Sequence, residues 1–152
     1  MDGPTQDTLR VGDFGWLAVF AACGMVRLIR ARIAFARLEM RTLMQRNESA
    51  MLGRAPGGDA DAELLARIAY VLPRISRRLP WRSDCLVQAI AGQDWLAAHG
   101  IAGEIRIGVE RPEDAGFGAH AWLVAGEKVI LGGDISRYEA IFGQASGGNG
   151  KA

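Results

Sequence analysis

The hydrophobic period of this chain changes once, at Gly100. Before it, apolar residues recur at three- and four-residue steps; after it, they alternate, and these are the repeats of helix and strand. In the run EIRIGVE, Ile105, Ile107 and Val109 point one way, while Glu104, Arg106 and Glu110 point the other, with Gly108 between. A second alternating run, Ala119-His120-Ala121-Trp122-Leu123-Val124, leads through a turn at Gly126 and Glu127 into Lys128-Val129-Ile130-Leu131. That pattern is a hairpin. Helices first and a meander afterwards make the fold class α+β rather than alternating α/β.

Within the helical part, Phe14 to Val26 runs for thirteen residues without a charge. A membrane span needs about twenty apolar residues, so the run is short for one. Asp2, Asp7 and Asp13 precede it in place of the basic start of a secretory signal. Asp13 reads as the N-cap of a buried or partner-covered helix. The helix is expected to continue through Arg27–Asn47, with Arg27, Arg30, Arg37 and Arg41 on related faces. These arginines are read in two ways: a solvated face, or a contact surface for an acidic partner or an anionic membrane surface. Charge counting does not separate the two.

Further along, Asn47–Asp59 holds Pro56, Gly57 and Gly58 and reads as a linker. A helix over Asp61–Leu72 is expected to stop at Pro73, and a short segment with Ile75 and Leu79 follows. Ser83–His99 is a well-marked helix, with Ser83 as N-cap candidate, Asp84 in the first turn and Gly100 as the stop. The expected organisation is a flexible lead-in (1–13), a helical region and linker (14–58), a core (59–143) and a flexible tail (144–152). A chain of 152 residues suits one compact domain. Eighteen basic against seventeen acidic residues leave a net charge of +1, too little for a general nucleic-acid field.

Two cysteines, Cys23 and Cys85, make no disulfide framework, and no paired Cys/His spacing suggests zinc. They favour a reducing, cytoplasmic setting. Cys23 lies in the apolar helix and reads as packing. Cys85 lies in the first turn of its helix, where unpaired N–H groups and the helix dipole favour a thiolate and would also hold an oxyanion. Arg82 adds positive charge beside it. The alternative is an inert buried cysteine. His120, on an alternating strand with Trp122, is the base that would take the thiol proton. Its alternative is a strand histidine held by a backbone group. His99, at a helix end beside Gly100, reads as a cap. Folding the hairpin about Gly126 and Glu127 sets His120 opposite Gly133, with Asp134 adjacent as the group to orient the imidazole. Asp134 equally suits the start of a short helix, ISRYEAIFG. No phosphate loop, carboxylate pair or metal cluster stands out, and no cofactor is expected.

The runs Trp81-Arg82-Ser83-Asp84-Cys85-Leu86, His99 to Val109 and Phe117-Gly118-Ala119-His120-Ala121-Trp122-Leu123 resemble the leader-cleaving cysteine proteases of lasso peptide biosynthesis, in the transglutaminase-like superfamily. The resemblance covers most of 61–143. It implies a papain-like core in which a catalytic helix packs on a small antiparallel sheet. It also implies a Cys85-His120-Asp134 triad that cuts the leader from a ribosomally made precursor. Further implied partners are a separate leader-binding protein, for which the N-terminal helices with Trp16, Phe20 and the arginines would be the docking surface, and an asparagine-synthetase-like macrolactam cyclase. Leu123-Val124 stands where relatives often carry an acid after the Trp. An acyl-transferase using the same triad, or a non-catalytic adaptor on the same fold, is the rival expectation.

Overall fold

The computed structural model describes residues 13–80, 84–110 and 118–143. The lead-in, the Trp81-Arg82-Ser83 run with the expected N-cap, most of the loop before Ala119 and the tail lie outside them. Helices α1 (Asp13–Phe35), α2 (Met40–Met51), α3 (Ala62–Ser76) and α4 (Cys85–Ala98) come first. Among the strands, β1 (Ala55–Pro56) and β2 (Ile101–Ala102) form a short parallel pair. Strands β3 (Glu104–Glu110), β4 (Ala119–Ala125), β5 (Lys128–Leu131) and β6 (Tyr138–Phe142) form a sheet of order β5-β4-β3-β6 with antiparallel pairing throughout. The α+β class stands.

The single long helix expected from Phe14 onward is two. After Phe35 the chain tightens into i→i−3 bonds, Arg37 N–H to Ala34 and Leu38 N–H to Phe35, and α2 leaves in a new direction. The break has a packing reason. Leu28 and Ala31 of α1 and Leu43 of α2 all belong to one buried cluster, with Phe35 and Leu38 packed against it at the bend. Nor is Asn47–Asp59 a linker: it opens inside α2, where Asn47 and Ala50 are buried. Pro56 then sits in the edge pair opposite Ala102, where a missing N–H is tolerated.

Pro73 does not end α3, which runs on to Ser76. A proline inside a helix costs about 3 kcal/mol, chiefly because the carbonyl four residues back loses its donor. Continuing the helix sets Ile75, and then Leu79, against the core. Full burial of an aliphatic side chain contributes about 1.5–3 kcal/mol, so these two partly buried residues together recover much of that cost. The carbonyl left without a helical donor is that of Ala69.

Helix α4 is the centre of the molecule. Val87, Ile90, Ala91, Trp95 and Leu96 are buried, facing α1 and α3 on one side and the sheet on the other. Gly92 marks the closest approach of helix and sheet: a Cβ there would lie 2.6 Å from Leu131 and 2.7 Å from Leu123. Among the ties that bind the N-terminal helices to α4 are Arg46 to the Asp94 carboxylate at 2.6 Å and Arg27 to the Asp94 carbonyl at 3.0 Å. The core is therefore continuous across the boundary at 58–59 that the sequence suggests. Gly100, at φ +73°, ends the helix, and His99 donates from Nδ1 to the Trp95 carbonyl at 3.0 Å, the capping role its position suggests.

The short helix expected over 135–143 is a strand. Tyr138, Ala140 and Phe142 alternate with the exposed Glu139 and Ile141, and β6 pairs with the otherwise open edge of β3. In the hairpin, Ala125 faces Lys128 and Val124 faces Val129 as expected. A bulge then moves the register by one, so that Leu123 faces Leu131.

Candidate active site

Cys85 is the first residue of α4, preceded by Asp84 in extended conformation (φ −60°, ψ 161°) at the cap. Gln88 is the first residue whose N–H reaches back along the helix, to the Asp84 carbonyl. The N–H groups of Cys85, Leu86 and Val87 therefore have no intrahelical acceptor. The sulfur is half-buried and accepts the Ala121 N–H at 3.3 Å. That contact fixes the key juxtaposition: the thiol lies against the peptide unit that follows His120, on the strand packed beneath α4.

His120 is half-buried. Its ring lies between Tyr138, with centroids 4.8 Å apart, and Trp122, at 6.2 Å. Nε2 is 2.7 Å from the Gly132 carbonyl oxygen. A carbonyl only accepts, so Nε2 carries the proton. In the neutral ring the lone pair is then on Nδ1, and Nδ1 is the nitrogen available to take a proton from a thiol. Cys85 and His120 share the wall of a cleft of about 450 Å³, together with Ala69 and Pro73 of α3, Arg77 just beyond α3, and Gln88 of α4. Arg77 brings a fixed positive charge to this wall.

Of the residues singled out in the sequence, Cys85 and His120 come together. Asp134 does not join them among the described residues. Its carboxylate is exposed and accepts the Ser136 N–H at 2.9 Å. Bonds from the Ser136 N–H and hydroxyl, with the nearby Arg137 charge, hold the Asp134 carboxyl below the ordinary carboxylate range. The pairing of β4 with β5 ends at Leu123 and Leu131, and Gly132 and Gly133, at φ +122° and +66°, follow directly, so the ladder register does not extend to Asp134. Arg82 lies outside the described residues.

Cys23, expected to pack, is exposed beside Arg27 and Arg30, on the wall of a cleft that Arg46 of α2 and Asp94 of α4 also line. Phe20 packs on the core, stacked on Trp95 with centroids 5.3 Å apart, and the half-buried Trp16 lies edge-on to Phe20 with Arg67 over its ring at 4.7 Å. Three participants escaped sequence reading. Gly132 acts through its backbone, and the only trace was the Gly-Gly pair after a strand. Tyr138 was hidden by the helical reading of its segment, and Arg77 by the expected stop at Pro73.

The family model of the transglutaminase-like superfamily matches residues 25–143. No curated protein and no solved structure is a significant match. No described helix is long and apolar enough to cross a membrane. With most of its length matched, including Cys85, His120 and the whole sheet, the chain belongs to the transglutaminase-like superfamily.

Proposed function

We propose that this transglutaminase-like chain is a cytoplasmic cysteine peptidase that removes the leader from a ribosomally made lasso peptide precursor. One observation carries the chemistry. A helix-start cysteine lies with its sulfur 3.3 Å from the amide next to His120, and both residues open into one cleft. In the proposed reaction His120 Nδ1 takes the thiol proton, and the Cys85 sulfur attacks the carbonyl at the leader–core junction. The N–H groups at the start of α4 stabilise the oxyanion that forms. The C–N bond breaks, the imidazolium proton passes to the departing core amine, and the leader remains as a thioester on Cys85. Water, deprotonated by the same ring, hydrolyses the thioester and restores the thiol. The choice of water over an amine acceptor, and of a lasso precursor as substrate, rests on the resemblance of the cysteine and Ala-His-Ala-Trp segments.

Reactivity toward iodoacetamide, followed separately at each cysteine by peptide mass spectrometry, tests the nucleophile. Cys23 is the more exposed thiol, so accessibility alone favours Cys23. Cys85 is expected to react at least about tenfold faster at neutral pH, because only a thiolate attacks. Equal rates, or a faster Cys23, would refute the assignment. Incubation with a precursor and its leader-binding protein is expected to release a core with a free N-terminus. A product in which an amine has replaced water would instead identify an acyl-transferase.

Partner docking is proposed for the exposed apolar face of α1 rather than for Trp16 and Phe20, which already contact each other and Arg67. Val19, Val26 and Ile33 are 56–61% exposed there, beside the exposed Arg30. An apolar stripe rimmed by arginine suits an amphipathic acidic surface on the leader-binding protein. The double change Val26→Asp and Arg30→Glu is expected to weaken binding of that partner at least about tenfold, since a rim charge reversal adds repulsion. Cys85 alkylation should be unchanged. Undiminished binding would remove this face from the model of the complex.

A further inference from the structure

We infer that the main-chain carbonyl of Gly132 is the group that positions the His120 imidazole, and that Asp134 stands outside the catalytic machinery. The inference rests on the reading of Cys85 and His120 as nucleophile and base, and it reassigns the third role. Three observations support it independently. The Nε2–O distance of 2.7 Å is that of a formed hydrogen bond, and its acceptor has no protonation state of its own. The carbonyl is also locked by packing. Gly132 adopts φ +122°, a region that favours glycine, and a Cβ there would lie 2.3 Å from the Trp122 Cβ. Trp122 is 2% exposed and sits on the face of β4 that carries His120. The Cα and Cβ of Trp122, two residues along the strand from His120, therefore limit residue 132 to glycine and hold its backbone close to the strand that carries the ring. Finally, Asp134 is engaged in its own turn with Ser136 and is exposed.

A carbonyl in this role differs from a carboxylate in one testable respect. Both accept from Nε2 and both select the tautomer with its lone pair on Nδ1. Only a carboxylate places a full negative charge behind the imidazolium that forms when the thiol gives up its proton. With Gly132 as acceptor, the thiolate–imidazolium pair is insensitive to removal of the Asp134 charge. Among the described residues, the other polar or ionisable groups that line the cleft or lie against the ring are Cys85 and Gln88 on α4, Arg77 just beyond α3, and Tyr138 on β6, and none of them is a carboxylate.

Two measurements test this, and neither needs the natural substrate. Nitrogen-15 NMR of His120 in the unaltered protein, at a pH where the ring is neutral, is expected to show Nε2 protonated and Nδ1 bare. A ring protonated at Nδ1 overturns the inference, because the Gly132 carbonyl could not then be its partner. The pH profile of Cys85 alkylation is compared between the unaltered chain and Asp134→Asn. The midpoint is expected to stay in place and the rate at neutral pH to stay within about twofold, a change of about 0.4 kcal/mol. A tenfold or greater fall at neutral pH, with the midpoint moved upward, would restore Asp134 as the positioning acid. Failure of the underlying reading looks different: Cys85 would then react no faster than Cys23 in both proteins, whatever the tautomer.

Discussion

Cys85→Ala is expected to lower precursor cleavage by at least about a thousandfold, leaving the precursor and partner bound as before. The residual catalysis after loss of a nucleophile comes from binding and oxyanion stabilisation alone, and in serine-type triads it is several orders below the intact enzyme. The loss should fall on kcat rather than KM, since in the proposed reaction the thiol acts on the reacting carbonyl and not on the flanking peptide. His120→Ala should lose nearly as much. The two losses should not add, because nucleophile and base act as one unit. Single-turnover cleavage followed by mass spectrometry, with Cys85→Ala, His120→Ala and the double variant side by side, gives the answer. Retention of a tenth of the normal rate by Cys85→Ala would end the peptidase reading and leave the adaptor. Folding is not at stake: Cys85 contributes little to the core, and urea midpoints should stay close to that of the unaltered chain.

Asn47→Ala is expected to cost about 3–5 kcal/mol of stability, far more than a residue in a Pro/Gly-containing stretch suggests. The side chain is buried and works as a short piece of strand. Nδ2 donates to the Ile105 carbonyl at 2.8 Å, and Oδ1 accepts the Ile105 N–H at 2.9 Å. The same oxygen accepts from Gln93 Nε2 at 2.9 Å, and Gln93 in turn donates to the Gly103 carbonyl at 3.0 Å. Alanine would leave a buried N–H and a buried carbonyl of Ile105 unpaired, at about 1–3 kcal/mol each, and would open space beside them. Asn47→Asp should be no better, since it trades the Nδ2 donor for a buried charge. Equilibrium urea unfolding reads the loss. A change below about 1 kcal/mol would mean that water or a neighbour replaces the amide. The effect reaches the site through β3: Gly108 of β3 faces His120 of β4, so loosening β3 loosens the strand that carries the base.

Cys85 at the head of a helix and His120 on an alternating strand were legible because each follows from local rules. An N-terminal turn is marked by its capping residue and by the apolar spacing after it. A strand is marked by alternation. The acid was not legible in the same way. Placing Asp134 required extrapolating a hairpin register beyond Leu131, where the strand pairing ends and two positive-φ glycines follow. Pro73 misled for a related reason: a local rule ends the helix there, and burial of Ile75 on the far side carries the helix through.

By itself, then, the sequence determined the α+β class, the order of helices and meander, and the placement of Cys85 at a helix start and His120 on a strand. Period, caps and the distribution of apolar residues act over a few residues and leave their mark in them. Only the tertiary structure decided that α1 and α2 are separate and that 138–142 is an edge strand. It also decided that an amide in a supposed linker completes the sheet, and that a backbone carbonyl lies against the imidazole. Each of these depends on which surfaces meet across tens of residues. A partner at that distance, above all one that acts through its main chain, carries no side-chain signature to read.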